Sequence, residues 1–500
     1  MKRILKILTS RAVLTALSIL VQFLIIFAFV RYFSEAFVYY YSATFIISII
    51  FCVVVVNKNT NSAYKIAWIL LLMCLPLFGV AIFLILDGIS LVKFKKKRML
   101  KITDNIKEHL SKDEELTIEN DLAKGQSRYI NDYAYSPPIK NTRSKYFSGG
   151  EEFFKELLCE LKKAEKSIYM EYFIIKQGYM WDEIKTVLLE RAQNGVDVRI
   201  IYDDMGSIDQ LKWREMKKLK KAGIRIKSFN PFVPVISTIL NNRDHRKICT
   251  IDTKVAFCGG VNIADEYINL KEKFGHFKDS AIALYGEGAY SFEVFFLTLW
   301  EYITGEKTKL QKPQYEQLDE GVYQPYTDSP IDTEPVGENI YINIISNAKK
   351  YVYISTPYFV VDEEMLRAIT NSAKSGVEIK LIVPHIPDKK AVNQVTKSYY
   401  SRLISAGVKV YEYKLGFNHS KLVISDDKIA TVGSVNFDYR SFYLSFECGV
   451  WMYNTNTIKD ILFDYNTMLT NSLPITSENC KASIFTRLFR AILSAFSPLF

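Results

Sequence analysis

The sequence predicts a mixed α/β protein in which two repeated α/β lobes share one pseudo-twofold active site and follow N-terminal transmembrane helices. Three observations carry this prediction. A short polar motif occurs twice, apolar β-rich runs alternate with longer amphipathic runs around each copy, and long uncharged apolar segments open the chain. Alternating strands and helices are typical of a sheet covered by helices. The 500 residues also exceed the usual size of one compact domain.

The polar motif has the form H-x-K-x(4)-D. Its two copies comprise His245, Lys247 and Asp252, and His419, Lys421 and Asp426. A G-x-x-N tail follows each copy at the same distance and ends at Asn262 and at Asn436. One such pattern arises by chance fairly often, whereas two copies with matching tails rarely do. The duplication therefore predicts one site that is built from two halves.

The segments around the motifs repeat in the same order. Residues 164–169 resemble 348–353, residues 194–200 resemble 375–381, and residues 222–226 resemble 406–410. The same comparison aligns Tyr172-Phe173 with Tyr358-Phe359. Residues 232–242 have no counterpart before the second histidine and predict a loop. Since the polar residues repeat as faithfully as the apolar ones, the duplication indicates a shared function and not architecture alone.

Periodicity predicts the elements of the first lobe. Strands are expected at residues 167–175 and 196–202, and helices at residues 151–166 and 180–193. Gly195 lies just past the second helix, where a glycine commonly ends a helix.

Three apolar segments, residues 12–30, 36–56 and 66–86, open the chain. Each is close to the ~20 residues that cross a bilayer as a helix. The first resembles a signal peptide but lacks a clean cleavage site, so we expect it to be retained. Pro76 and Gly79 interrupt the third, which makes it the candidate for a bent or re-entrant helix. Residues 1–92 are therefore predicted to form a multi-pass cell-membrane region with two or three transmembrane segments.

Basic residues lie at both ends of this membrane region. Those that open the predicted linker at residues 93–140 are Lys93, Lys95, Lys96, Lys97, Arg98 and Lys101. Such a cluster attracts anionic lipid headgroups by roughly 1 kcal/mol per residue, or serves only as a topology signal. The positive-inside rule favours a cytoplasmic location for both ends. The seven cysteines lack metal-type spacing and fit reduced thiols, which also favours cytoplasmic catalytic lobes.

The remaining boundaries follow from the repeat and from the C-terminal pattern. We expect the first lobe at residues 141–312, a linker at 313–335, the second lobe at 336–475 and an amphipathic helix at 476–500. In the last segment, apolar residues at positions 484, 485, 488, 489, 492, 493 and 496 follow helical spacing, with Lys481, Arg487 and Arg490 adding charge. This pattern predicts a helix in the membrane interface, and packing against the lobes is the alternative.

The residue types of the motif suit phosphodiester chemistry. An imidazole can act as nucleophile and as acid near neutral pH. Lys247 and Lys421 would neutralise the phosphoryl oxygens. Asn262, Asn436 and Ser434 could donate to the same oxygens or hold the histidines.

Each histidine is also expected to have an orienting carboxylate on its second ring nitrogen. Asp279 and Glu447 head equivalent apolar strands and are the candidates for this role. The motif residues Asp252 and Asp426 complete the catalytic pattern. Their position between two strands favours a turn or ion-pair role over substrate contact.

With these residues the chain resembles the phospholipase D superfamily and, within it, the bacterial cardiolipin synthases. The resemblance covers about residues 141–454, and the segment GSVNFDYRS at 433–441 is especially similar. It implies that one histidine attacks the phosphorus of a phosphatidylglycerol and releases glycerol. The hydroxyl of a second phosphatidylglycerol then displaces the phosphohistidine and gives cardiolipin, without a metal or other cofactor. By this resemblance His245 is the nucleophile and His419 the acid and base, although the residues themselves leave that order open.

Other interpretations use the same residues. A phospholipase D-type hydrolase would use water as the acceptor, and another transphosphatidylase would use a different alcohol. A nuclease would fit the net charge of +10 but not the apolar N-terminus, so phosphatidylglycerol and anionic membrane lipid, and not nucleic acid, are the expected partners. A catalytically dead membrane scaffold would have lost a motif histidine or lysine, and all four are present. The sequence carries no signal of oligomeric state.

Overall fold

A computed structural model of the chain describes residues 34–58, 60–87, 97–100, 118, 120–207, 213–231, 242–307, 310–315, 318, 321–331 and 334–499, with isolated positions between 20 and 31 and between 104 and 110. The chain divides into two compact units. The first comprises residues 1–94, 232–241 and 494–500, and the second comprises residues 95–231 and 242–493. Most of the first predicted apolar segment, most of the basic cluster and nearly all of the predicted 232–242 loop lie outside the described residues.

Apolar helices form the described part of the first unit. They are α1 at Ser34–Val56, α2 at Ser62–Cys74 and α3 at Pro76–Asp87. The rings of Trp68 and Phe83 meet edge to face in their shared core, with centroids 5.2 Å apart. A Cβ at Gly79 would lie 2.7 Å from the carbonyl oxygen of Leu71. Glycine is therefore needed where α2 and α3 approach each other most closely.

The third predicted apolar segment is broken between α2 and α3. Proline has no N–H for the preceding turn and disfavours helical geometry at the residue before it, and Leu75 has φ −135° and ψ 72°. Residues Val38–Val56 form the one helix in the described part of the chain that is long and apolar enough to span a membrane, with 19 residues and a mean hydropathy of 2.1. The prediction of two or three transmembrane segments is not confirmed beyond this helix.

The second unit contains two sheets, one for each half of the repeat. The first sheet consists of β1 Thr142–Phe147, β2 Ser167–Tyr172, β3 Asp197–Asp203, β4 Arg225–Phe229, β6 Lys247–Ile251, β7 Val255–Gly259 and β9 Ala281–Gly286. The second contains β10 Val322–Asp328, β11 Tyr351–Ser355, β13 Glu378–Pro384, β14 Lys409–Tyr413, β16 Leu422–Ser425, β17 Ile429–Gly433, β19 Ser445–Tyr453 and β20 Ser472–Pro474. The order β1-β9-β7-β6-β2-β3-β4 matches β10-β19-β17-β16-β11-β13-β14, with β20 beyond β14. The predicted duplication of a mixed α/β lobe is thus confirmed.

Helices cover the sheets, except that the last of them, α14 at Ile484–Phe496, has no buried residue. They are α4 Asp121–Tyr133, α5 Gly150–Lys163, α6 Tyr179–Gln193, α7 Trp213–Lys221, α8 Glu287–Thr304, α9 Val336–Asn347, α10 Glu363–Lys374, α11 Lys390–Ser405, α12 Tyr439–Tyr443, α13 Thr457–Thr470 and α14 Ile484–Phe496, followed by a 3-10 turn at Ser497–Leu499. The predicted helices at 151–166 and 180–193 correspond to α5 and α6. Apolar residues of β6, β7 and β9 share one core with those of β16, β17 and β19, so the two lobes are joined by buried apolar surface.

Two short strands, one from each lobe, pair with strands of the opposite lobe. β5 at Arg243–Asp244 pairs in parallel with the start of β19, and β15 at Gly416–Asn418 pairs in parallel with β8 at His276–Lys278. The remaining short pair, β12 Phe359–Val360 with β18 Phe437–Asp438, lies within the second lobe. The sequence did not predict these crossing strands, because strands of two or three residues carry too little periodicity to be recognised.

The motif aspartates hold the start of β2 and the start of β11 in place. The carboxylate of Asp252 accepts hydrogen bonds from the backbone N–H groups of residues 165, 166 and 167 at 2.7–2.8 Å. Asp426 accepts from those of residues 349, 350 and 351 at 2.7–2.9 Å. Both have φ of 54°, in the left-handed region that aspartate tolerates better than most residues. Their carboxylates are thus engaged by the backbone, as the predicted turn role requires.

The same contacts fix how the two halves correspond. Residue 167 is equivalent to residue 351, so Tyr172-Phe173 corresponds to residues 356–357 and not to Tyr358-Phe359. The parallel pairings of Ile175 with Ile263 and of Phe359 with Phe437 agree with this offset. The sequence comparison was wrong by two residues here, because it matched aromatic pairs in the segment that follows the strand.

We predict that Asp252→Asn destabilises the second unit. The amide turns one acceptor into a donor that faces a backbone N–H, which costs about 1–3 kcal/mol of unfolding free energy. Asp427→Asn is the matched control, because that side chain is exposed and accepts one hydrogen bond, from the Tyr351 hydroxyl at 2.9 Å. Thermal unfolding of the full chain in detergent measures both variants. Equal shifts in the midpoint of thermal unfolding for the two variants would contradict the stabilising role of the Asp252 hydrogen bonds.

Candidate active site

Each motif histidine is hydrogen-bonded to an acid of the opposite lobe. Nδ1 of His245 lies 2.9 Å and 3.0 Å from the two carboxylate oxygens of Glu447. Nδ1 of His419 lies 2.7 Å from Oδ2 of Asp279. The two acids that head equivalent strands are therefore both paired with a histidine, and the pairing crosses between the lobes. In each case Nε2 is the ring nitrogen left for a substrate.

The crossing strands produce this pairing. In β5, Asp244 pairs with Phe446 of β19, so the next residues, His245 and Glu447, stand opposite each other. The N–H of His245 also donates to the carbonyl oxygen of Phe446 at 2.9 Å. In β15, Asn418 pairs with Lys278, which brings His419 opposite Asp279 in the same way.

Both motif lysines lie within the same buried site. Lys247 is 2% exposed and Lys421 is 1% exposed. The Nζ of each donates to the backbone carbonyl oxygen of the histidine two residues before it. Burial lowers the pKa of Lys247 to about 8 and that of Lys421 to about 7. Each ammonium is thus held beside its histidine with one hydrogen-bond acceptor among the described residues.

The histidines are neutral in this environment. Burial, followed by the charges of Lys247 and Lys421, holds the pKa of His245 well below its usual value. Burial and Lys421 lower the pKa of His419 to about 4, against the opposing effect of Asp279. Because each lysine acts on both histidines, the two halves of the motif form one electrostatic site. Burial also raises the pKa of the Glu447 carboxyl to about 7.

The two acids are held differently. Glu447 accepts hydrogen bonds from the hydroxyls of Ser434 and Ser441, the latter at 2.7 Å. Asp279 has no serine at the position equivalent to Ser434, where the first lobe has Gly260. A Cβ at Gly260 would lie 2.0 Å from Oδ1 of Asp279. The shorter acid fills the space of the missing side chain, so the serine in one half and the glycine in the other each fit their own carboxylate.

The tail asparagines have diverged. Asn262 accepts from the N–H of Ile174 at 3.0 Å and donates to the Tyr267 hydroxyl at 2.7 Å, which fixes the loop beside the site. Asn436 is 5% exposed, and its Oδ1 has no hydrogen-bond partner among the described residues. Of the two, Asn436 retains hydrogen-bonding capacity for a bound molecule.

A buried charged cluster beneath His245 was missed from the sequence. Nε of Arg246 lies 2.6 Å from Glu171 and 3.2 Å from Asp244, and all three side chains are at most 3% exposed. The cluster also reaches Thr327, whose hydroxyl accepts from Arg246 at 3.2 Å and donates to the backbone oxygen of Glu447 at 3.1 Å. It thus supports the acid that orients His245.

The second lobe has a neutral cluster at the equivalent positions. The hydroxyls of Ser355 and Ser420 are 2.7 Å apart, and Asn418 donates to Ser355 at 2.8 Å. The signal was present in the residues flanking the histidines, D-H-R-K in one copy and N-H-S-K in the other. It was overlooked because the comparison sought what the copies share.

Further cations lie near the site. Lys389 and Arg440 also lower the pKa of His245. Lys389 lies over the Tyr358 ring, 4.8 Å from its centroid, and the Tyr358 hydroxyl donates to Asp388 at 2.6 Å. Among the described residues, no group of three or more His, Cys, Asp or Glu side chains is arranged to hold a metal ion. Two neutral imidazoles in a strongly cationic site are suited to binding a phosphate diester and to transferring protons to and from it.

Comparison with known proteins agrees with this geometry. The model of the family described as cardiolipin synthase, PLD-like domain, matches residues 157–296 and 341–469, one segment in each lobe. Residues 46–86 match the phospholipase D-nuclease N-terminal family. The solved phosphatidylserine synthase of Haemophilus influenzae has the same fold, with a TM-score of 0.58, 15% sequence identity, and coverage of 76% of this chain and 98% of that one.

Full-length relatives extend the similarity to nearly the whole chain. An uncharacterized protein of Streptococcus mutans is 40% identical over 452 residues, which cover 89% of this chain and 98% of the relative. A cardiolipin synthase of a Geobacillus species is 34% identical over 467 residues, which cover 90% and 92%. That of Alkalihalophilus pseudofirmus is 32% identical over 471 residues, which cover 92% and 93%. The chain therefore belongs to the cardiolipin synthase family, phosphatidyltransferases of the phospholipase D superfamily.

Proposed function

We propose that this chain is a cardiolipin synthase that transfers the phosphatidyl group of one phosphatidylglycerol to a second one and releases glycerol. The observation that carries the proposal is the pair of cross-lobe bonds, His245–Glu447 and His419–Asp279, beside two buried lysines. A site with two oriented imidazoles supplies a nucleophile that can attack phosphorus and an acid that can protonate the leaving oxygen. Family membership supports phosphatidylglycerol as the substrate and anionic membrane lipid as the surroundings.

In the first step Nε2 of His245 attacks the phosphorus. A P–N bond forms and the bond from phosphorus to the headgroup oxygen breaks. His419 gives a proton to that oxygen, so glycerol leaves as a neutral alcohol. Glu447 holds the attacking ring in the tautomer with a free Nε2 and stabilises the positive charge that develops on it.

In the second step the free hydroxyl of another phosphatidylglycerol attacks the phosphohistidine. His419, now neutral, takes the hydroxyl proton, the new P–O bond forms and the P–N bond breaks. Asp279 stabilises the protonated ring. The first step needs His419 protonated although its pKa is lowered to about 4. The negative charge of the bound phosphodiester favours the protonated form and raises that pKa.

The lysines and Asn436 bind the phosphoryl oxygens in this proposal. Lys247 and Lys421 are close to both histidines and carry the charge that the equatorial oxygens require. Asn436 completes the set through its side-chain N–H, which can donate to a phosphoryl oxygen, and its Oδ1 is not engaged by the described residues. Asn262, Asp252 and Asp426 take structural roles, and Ser434 acts through Glu447.

The domain division expected from the sequence is part of this proposal with two changes. Residues 1–92 form the membrane region, 141–312 the first lobe, 336–475 most of the second lobe, and 476–500 the amphipathic helix. The expected 313–335 linker contains β10 Val322–Asp328 of the second sheet, and the expected 93–140 basic linker contains α4 Asp121–Tyr133, so both linkers are shorter than expected. α1 provides the spanning helix, and the α2–α3 pair, broken at Leu75, is the bent or re-entrant element. Together with the span expected at residues 12–30, α1 would return the chain to the side of its basic N-terminus, so in this proposal the catalytic lobes lie on the cytoplasmic side.

The function is tested with purified protein in phosphatidylglycerol vesicles without added metal. We expect cardiolipin and glycerol in equal amounts, because the acceptor is a second lipid, with mass spectrometry following both products. The double variant His245→Ala/His419→Ala should give neither. Phosphatidic acid in place of cardiolipin would identify water as the acceptor and overturn the synthase assignment.

The roles of the histidines are separated with a phosphatidyl ester of 4-nitrophenol, whose leaving group needs no proton. His419→Ala should release about one nitrophenol per protein in a burst and leave a phosphohistidine at position 245, whereas His245→Ala should release none. A burst with His245→Ala alone would reverse the two roles.

The orientation of the lobes is tested with the exposed thiol of Cys159 on α5. A membrane-impermeant maleimide should label it in inside-out vesicles and leave it unlabelled in intact cells, with Cys159→Ser identifying the labelled peptide. Labelling in intact cells would contradict the cytoplasmic assignment.

A further inference from the structure

A cavity lies outside the candidate active site, at the edge of the second lobe where β20 joins β14. Its volume is about 440 Å³, and its walls come from β14, β20, α11 and α14. The side chains that decide its chemistry are His385, Lys397, Glu412, Leu473, Ile475 and Arg490. None of them belongs to the histidine, lysine or carboxylate set described above.

The cavity has a surplus of positive charge. Glu412 is its one acidic side chain among the lining residues and is 3% exposed. It is already bound by Nδ1 of His385 at 2.7 Å and by the Tyr400 hydroxyl at 2.9 Å, with Nζ of Lys397 at 3.4 Å. Lys397 and Arg490 thus place two cations against one carboxylate.

Arg490 directs its charge into the cavity. Its Nε donates to Oε1 of Gln394 on α11 at 3.0 Å, which fixes the half-buried side chain against the lobe. Its terminal nitrogens make no hydrogen bond within the described part of the chain. A planar guanidinium held in this way presents a pair of donors suited to phosphate oxygens.

The helix that carries Arg490 has an apolar face turned to solvent. Within α14, Ile484 is 75% exposed, Phe485 81%, Leu488 60%, Phe489 53% and Ile492 52%. Such a face is suited to the boundary between lipid headgroups and acyl chains. The cavity wall adds Leu473, which is 41% exposed. Cationic groups beside a membrane-seeking apolar surface match the two parts of a phospholipid.

We propose that this cavity is an accessory site for an anionic phospholipid. The lipid phosphate lies between Arg490 and Lys397, and the acyl chains lie along Leu473 and the apolar face of α14. The site would hold the second lobe against the membrane through one bound lipid. This proposal does not depend on the transfer reaction, because it concerns binding by residues that take no part in the chemistry.

The test uses the full chain with His245→Ala, so that lipid is bound but not converted. The protein in neutral detergent is irradiated with phosphatidylglycerol that carries a diazirine in an acyl chain, and labelled peptides are quantified by mass spectrometry. We expect label in residues 473–492. Arg490→Gln and, separately, Lys397→Gln should each lower it about tenfold, the effect of losing one charge-assisted hydrogen bond.

Arg487→Gln is the matched control, because Arg487 is exposed on the same helix and lines no part of the cavity. It should change the label by less than about twofold. Arg490→Lys, which keeps the charge, should retain more label than Arg490→Gln. Equal losses for Arg487→Gln and Arg490→Gln, or no loss for Arg490→Gln and Lys397→Gln, would overturn the proposal.

Two further arms identify the ligand. Phosphatidylcholine with the same diazirine should label residues 473–492 less than phosphatidylglycerol does, since its net charge is zero. Inorganic phosphate, added at the same molar concentration as the lipid, should fail to displace the lipid. Equal labelling by phosphatidylcholine, or full displacement by inorganic phosphate, would contradict an anionic phospholipid as the occupant. Loss of label is measured without turnover, so a failed transfer reaction would leave this result unchanged.

Discussion

The catalytic centre depends on two short parallel strand pairs that cross between the lobes. β5 on β19 and β15 on β8 each end one residue before a histidine and its acid. The backbone register therefore sets the distance from imidazole to carboxylate. A slip of one residue would turn both side chains to the other face of the strand. The shared apolar core of the two sheets resists such a slip, which links the packing of the lobes directly to the orientation of the catalytic rings.

This arrangement concentrates basic groups where few water molecules reach them. Lys247 and Lys421 donate to the backbone next to their histidines, and burial lowers the pKa of both ammonium groups. The nearby carboxylates thus do not offset the cost of burying the two ammonium groups. In the proposed reaction a phosphodiester supplies negative charge to this site and favours the protonated histidine that departure of glycerol would require. Substrate binding and acid catalysis are coupled through the same electrostatic field.

Much of this site was predictable, because duplication exposes polar residues that repeat. The histidines, the lysines and the two acids all came from matching positions, and Pro76 correctly marked a break in the third apolar segment. The cross-lobe pairing was not predictable, since register between short strands is set by tertiary packing and leaves no local pattern. The cluster of Glu171, Asp244 and Arg246 was missed for the opposite reason, because it occurs in one half only. Aromatic similarity alone misaligned the segment after β2.

The exchange of acids between lobes has a consequence for the origin of the chain. Each histidine is paired with the acid of the other lobe, so an unduplicated ancestor would have formed the same two pairs as a symmetric homodimer. Fusion of two copies removed the need for the halves to be identical. Serine could then replace glycine beside one acid, and a charged cluster could arise beneath one histidine. The present asymmetry records mutations that a homodimer would have had to accept in both subunits at once.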